Sequence, residues 1–170
     1  MLQTYNEERS IGACVEHLHA HGVDVYLLDD GSTDATVEVA ERYLGRGIIE
    51  IEELPSADAF RLREQCRRQE VLADTLDADW LIHYDADEIR VSPKERQSLA
   101  QALAELGEAG YNAGNFLEFT FVPTRESPDH DHVGFQRTMR SYYPFVPFFP
   151  GTLRYSSIAG TATSADCQEG

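Results

Sequence analysis

The chain has 170 residues, enough for one domain with a real core, and a composition that is 42% hydrophobic and 26% charged excludes wholesale disorder. A formal net charge of -16 opposes phosphate backbones and anionic lipid heads, which argues against nucleic acid or a membrane surface as the main partner and for a divalent cation. Cys14, Cys66 and Cys167 are odd in number and scattered, against a disulfide framework or a Cys-rich zinc site. No apolar run approaches the roughly 20 residues of a membrane span, and neither a basic nor an apolar leader follows Met1, so a cytoplasmic setting is expected.

Taken in order, residues 1–5 leave room for only a stub of a first strand. Residues 6–21 predict a helix: Ile11, Cys14, Val15 and Leu18 recur at helical spacing, Asn6 serves as N-cap, and Glu7 and Glu8 lie in the first turn. Gly22 ends it. Residues 23–28 predict a strand that runs into Asp29-Asp30-Gly31-Ser32-Thr33-Asp34, with Ser32 or Thr33 as the next N-cap. Val37, Ala40 and Leu44 then mark a second helix, and residues 48–51 a short strand. After a linker at 55–58, a longer helix through Phe60, Cys66, Leu72 and Leu76 leads to a strand opening at Trp80 and ending in Asp85-Ala86-Asp87-Glu88. Alternation of this kind implies a mostly parallel sheet with right-handed crossovers.

Farther on, Ser92-Pro93-Lys94-Glu95 has the form of a capping box with proline at the first helical position, and Leu99, Leu103 and Leu106 give the following helix its buried stripe. Residues 115–122 alternate like a strand. A polar loop at 123–134 carries Asp129-His130-Asp131-His132, residues 135–155 are aromatic and proline-rich, and residues 156–170 form a loose tail with little to bury. Both ends look unfinished, so the sequence is expected to be a fragment.

Two acid clusters carry chemistry. A tight strand-to-helix turn accounts for Gly31, Ser32 and Thr33, but adjacent Asp29 and Asp30 repel one another unless something donates hydrogen bonds or positive charge to them. Asp85 and Asp87 also end a strand, where ligands of open α/β sheets collect, and hard oxygen ligands there suit Mg²⁺ or Mn²⁺. Arg61, Arg63, Arg67 and Arg68 are interleaved with Glu64 and Glu70, the pattern of a solvated helix face, and His83 is expected to pack in or beside the sheet.

Thr4-Tyr5-Asn6-Glu7-Glu8, then Asp29 to Asp34, then Trp80 to Glu88, in that order and spacing, resemble the family 2 glycosyltransferases with the GT-A fold. The resemblance implies a Rossmann-like three-layer α/β domain over residues 1–155, its first strand and C-terminal acceptor region truncated. Residues 1–122 would be the nucleotide-sugar half and 123–155 a partial acceptor side. It also implies sugar transfer from a nucleotide-diphosphate sugar, commonly a UDP-sugar, to an acceptor hydroxyl on a sugar, lipid or protein. Tyr5 and Glu7 would lie beside the nucleotide, and Asp30 would accept from the base. Asp29 and Ser32 would shape the same pocket, Asp85 would sit near the ribose and diphosphate, and Asp87 would hold the metal.

The catalytic base is not recognisable from the family pattern. Deprotonating an acceptor hydroxyl needs a carboxylate within reach, and Glu126, Asp129 and Asp131 are the downstream acids in a loop. His130 and His132, at i and i+2 of the same run, can complete a metal site, although a solvated polar loop explains them as well. Two rival readings stay open. One is a fragment that binds nucleotide or metal without turnover. The other is a phosphatase of the haloacid dehalogenase type with Asp85 as nucleophile, which leaves the Asp29 cluster unexplained.

Overall fold

The computed structural model describes residues 1–54, 62–116, 118–125 and 141–145. They fall into two compact units, one within Met1–Ile89 and one within Arg90–Ser157. In the first unit, strands β1 (Leu2–Thr4), β2 (Val25–Asp29), β3 (Ile48–Glu53) and β4 (Tyr84–Asp85) form an all-parallel sheet in the order β3-β2-β1-β4. Helices α1 (Ile11–Ala20), α2 (Thr36–Glu41) and α3 (Leu62–Thr75) make the crossovers. The α/β layering with a parallel sheet, expected from the alternation of elements, is present.

Strand alternation decides what each sheet face buries. Leu2, Val25, Leu27, Ile48 and Tyr84 point to one side, where they form one cluster with Ile11, Cys14, Val15 and Leu18 of α1 and Ala40 of α2. The opposite side carries Gln3, Tyr26 and Glu52, and α3 meets it through polar contacts: Arg68 donates to both carboxylate oxygens of Glu52 at 2.6 Å, Tyr26 donates to Glu52 at 2.8 Å, and Gln69 donates to Gln3 at 3.3 Å. The arginine-rich helix is therefore not simply a solvated face. Its Gln65 is buried and its Arg68 is paired, because the sheet face opposite it carries Gln3, Tyr26 and Glu52 beside the buried Leu28.

Three element boundaries differ most from the sequence expectation. Helix α1 begins at Ile11, not Asn6, because Asn6 adopts a left-handed φ of 58° and its side chain serves a neighbouring loop instead. The strand expected from Trp80 shrinks to Tyr84–Asp85, since its partner β1 offers three residues and pairs only as Leu2↔Tyr84 and Gln3↔Asp85. His83 is exposed. The capping box sits six residues later than Ser92: Arg96 has a φ of 64°, and the box is Ser98 with Gln101 at the start of α4 (Leu99–Glu108), where Gln101 N donates to Ser98 Oγ at 3.2 Å and Ser98 N to Gln101 Oε1 at 2.9 Å.

In the second unit α4 buries Leu99 and Leu103, as its leucine spacing requires, and β5 (Glu118–Phe121) pairs antiparallel with β6 (Tyr142–Phe145). Phe119 and Phe121 share a face with Tyr142, whose ring lies 5.4 Å from each of theirs. Among the described residues no helix is long and apolar enough to cross a membrane. Leu27, fully buried at the centre of the α1/α2 face, anchors the first unit. Replacing it with alanine is expected to cost about 2–5 kcal/mol by urea unfolding, the range for a leucine whose cavity cannot collapse; a loss below 0.5 kcal/mol would contradict this placement of the core.

Candidate functional site

The site is built from three strand ends and the loops that leave them. At the end of β2, Asp29 is fully buried, and its carboxylate accepts from Thr4 Oγ1 at 3.2 Å, Gly31 N at 3.1 Å, Ser32 N at 2.8 Å and Ser32 Oγ at 2.5 Å. Those bonds answer the repulsion argument for this residue without any ligand. Asp29 and Ser32 thus shape the site from within by fixing the turn, and neither oxygen of Asp29 is left for a substrate.

The β1–α1 and β2–α2 loops are laced together residue by residue. Asn6 N donates to Ser32 Oγ at 2.9 Å, while Asn6 Oδ1 accepts from Thr33 N at 2.8 Å. Glu7 N donates to Thr36 Oγ1 at 2.7 Å, Glu8 N to Asp34 Oδ2 at 3.2 Å, and Ala35 N returns a bond to Glu8 Oε2 at 3.1 Å. Asp34 accepts from Thr36 N at 3.0 Å, so it, rather than Ser32 or Thr33, satisfies the first turn of α2. Glu7 is half-buried and its carboxylate accepts from Ser10 Oγ, a bond that orients it within its own loop. Tyr5, next to the end of β1, stands 57% exposed with its ring in solvent.

Asp30 differs from its neighbour. Its backbone N–H continues the ladder to Thr4 O at 2.9 Å, and its Oδ2 accepts from Gln65 Nε2 of α3 at 2.8 Å. Its other oxygen accepts no hydrogen bond among the described residues.

At the end of β4, a turn closed by Glu88 N donating to Asp85 O at 3.1 Å buries Ala86 and leaves Asp85 and Asp87 exposed. Neither carboxylate has a hydrogen-bond or ion-pair partner among the described residues. Within α1, burial pushes the Cys14 thiol up to about 12, with Asp87, then Glu88, then Glu7 adding to the effect. Asp87 and Glu88 follow the end of β4, which pairs with β1 at the point where the strand order changes direction. Ligands of open α/β sheets bind at such a switch point.

Two accessible carboxylates one residue apart, without a cationic partner, fit a hard divalent ion that takes the rest of its shell from phosphate and water. Among the described residues no group of three or more His, Cys, Asp or Glu side chains could hold a metal by itself. Glu126, Asp129, His130, Asp131 and His132 lie outside the described residues.

Residues 2–57 match the model of glycosyl transferase family 2. Over these residues the chain is similar to that family. Of the family 2 positions singled out in the sequence, Tyr5, Glu7, Asp29, Asp30 and Ser32 fall inside the matched residues, whereas Asp85 and Asp87 lie beyond them. A curated dodecaprenyl-phosphate galacturonate synthase from Rhizobium johnstonii is 46% identical over 52 residues, 27% of this chain, and the match covers 15% of that relative's length.

Sequence reasoning missed the contributions of Thr4, Thr36, Gln3 and Gln65; for Thr4 and Gln3, polarity within an otherwise apolar strand stub was the available signal, and Gln65 offered none. It also missed that Asp29 and Asp30 have unlike roles. Asp29→Asn is expected to lose on the order of 3 kcal/mol of stability, since an amide cannot accept all of these bonds, while Asp85→Asn stays within about 0.5 kcal/mol; urea unfolding of both variants checks the contrast.

Glu52 supplies a pH dependence. Arg68 chiefly, helped by Tyr26, holds its carboxyl below the usual range against the opposing effect of burial. A depressed pKa contributes stability above the ordinary glutamate value of about 4.3 and loses it as the pH falls through the folded value. Unfolding between pH 6 and pH 3 is expected to show a shallower acid loss for Glu52→Gln than for the wild type; equal slopes would contradict the pairing.

Proposed function

We propose that this chain binds a uridine-diphosphate sugar at the carboxyl ends of β1, β2 and β4, together with Mn²⁺ or Mg²⁺, and transfers the sugar to a lipid phosphate. The observation that carries the reading is the set of acceptors left available at one end of the sheet: one oxygen of Asp30 and the exposed carboxylates of Asp85 and Asp87. The family match supports sugar transfer, and the relative's printed name supports a polyprenyl phosphate as the acceptor class.

In this reading Asp30 accepts from the base, the exposed ring of Tyr5 covers the nucleoside, and Asp85 meets the ribose and diphosphate. Asp87 holds the cation. A divalent cation there supplies the positive charge that an acidic site lacks toward a diphosphate leaving group. Glu7 and Ser32 act through the loops they fix. The acceptor phosphate oxygen forms the new bond to the anomeric carbon as the bond to the nucleoside diphosphate breaks. A phosphate monoester already carries charge at neutral pH, so its oxygen makes no demand for a general base, unlike an acceptor hydroxyl. A hydroxyl acceptor would call on Glu126, Asp129 or Asp131.

Calorimetry with UDP, with and without Mn²⁺, tests the site, and release of UDP from a UDP-sugar in the presence of a polyprenyl phosphate tests the transfer. Metal-dependent UDP binding that falls at least tenfold in Asp87→Ala is expected. Binding without turnover would make the chain a nucleotide-binding fragment. Hydrolysis of a phosphate ester without UDP binding, abolished by Asp85→Ala, would replace the transferase reading with a phosphatase.

A further inference from the structure

Gln65 is the buried polar residue of α3, 2% exposed, and its Nε2 donates to Asp30 Oδ2 at 2.8 Å. The amide orientation is fixed by the partner: turned over, Gln65 would set its carbonyl oxygen against a carboxylate. The contact has a local cost, because Gln65 Oε1 is then buried without a donor among the described residues. An apolar side chain of similar size would bury as well at this position without leaving an unpaired acceptor. The bond to Asp30 is thus what the amide contributes there.

The backbone of Asp30 is held as firmly, its N–H bonded to Thr4 O and the preceding carbonyl accepting from Leu54 N at 2.7 Å. With the main chain fixed on both sides and one carboxylate oxygen occupied by Gln65, Asp30 keeps, among the described residues, one unoccupied acceptor in a set direction. A carboxylate with both oxygens free suits two parallel N–H donors, as in bidentate pairing. Guanine offers such a pair on its N1 and exocyclic nitrogen. Uracil offers a single N–H at N3 flanked by two carbonyl oxygens, one of which a second bare carboxylate oxygen would repel.

We propose that Gln65 sets base specificity: by hydrogen-bonding to one oxygen of Asp30 it leaves a single acceptor, which selects uracil and rejects guanine. This rests on the reading that Asp30 faces the nucleobase. Gln65 is in this account a positioning residue, acting through Asp30 and not by touching the substrate.

The test is a pair of affinities, for UDP and for GDP with Mn²⁺, measured on the full chain. Wild type is expected to prefer UDP by at least tenfold. In Gln65→Leu, which keeps the buried volume, that preference should fall by tenfold or more, as UDP weakens and GDP gains. Gln65→Glu gives a second measurement: at pH 5 a proton shared between the two carboxyl groups restores the donor and with it the UDP preference, and at pH 8 the two charges repel and the preference is lost. A preference unchanged in Gln65→Leu, or pH-independent in Gln65→Glu, would overturn the role of Gln65 while leaving the nucleotide site standing. UDP binding unchanged in Asp30→Ala would instead overturn the underlying reading of Asp30.

Discussion

The buried carboxylate of Asp29 is the constraint on which the site depends. A charge removed from water must be met by donors, and Asp29 finds them in Thr4 on the adjacent strand and in Gly31 and Ser32 of its own turn. Meeting that requirement locks the ends of β1 and β2 together and forces the chain to turn at Gly31, where a φ of 78° is one that glycine adopts without strain. The lacing of Asn6, Glu7 and Glu8 onto Ser32, Thr36 and Asp34 follows from the same closure. One aspartate of the pair is spent on structure, and the next is thereby aimed.

The two faces of the sheet divide the work. The α1/α2 face is apolar and holds the unit together through Leu2, Leu27, Ile48 and their partners. The α3 face adds to the buried Leu28 and Leu72 a set of polar contacts, Gln3 with Gln69, Glu52 with Arg68 and Tyr26, Asp30 with Gln65. Such contacts give less stability per residue than apolar packing, but they fix direction, and direction is what a strand-end acid needs to recognise a ligand. Asp85 and Asp87 at β4 are the complement: exposed and without a hydrogen-bond or ion-pair partner among the described residues.

Much of this was legible in the sequence because it follows from period. Alternating helices and strands gave the parallel sheet, and the apolar spacing of Ile11, Cys14, Val15 and Leu18 gave the buried face of α1. What stayed hidden was where polar side chains go. Asn6 looks like an N-cap until its backbone turns left-handed and its amide serves the other loop. Ser92 has the pattern of a capping box, but Ser98 has it too, and only the turn at Arg96 decides between them. Asp29 and Asp30 are chemically identical in the sequence; burial separates them, one inside the sheet edge and one beside α3. Gln65, set among arginines and glutamates, gives no sign from charge pattern that it faces inward.

The central claim is that Asp30, Asp85 and Asp87 serve one ligand at one end of the sheet. Paramagnetic broadening of amide signals by substoichiometric Mn²⁺, recorded with and without UDP, tests it most directly. The account predicts broadening centred on Asp85 to Glu88 that strengthens on adding UDP, accompanied by UDP-induced shifts at Asp30, Gly31 and Ser32. Broadening centred on other acids, or unaffected by UDP, with the Asp30 turn unperturbed, would contradict it.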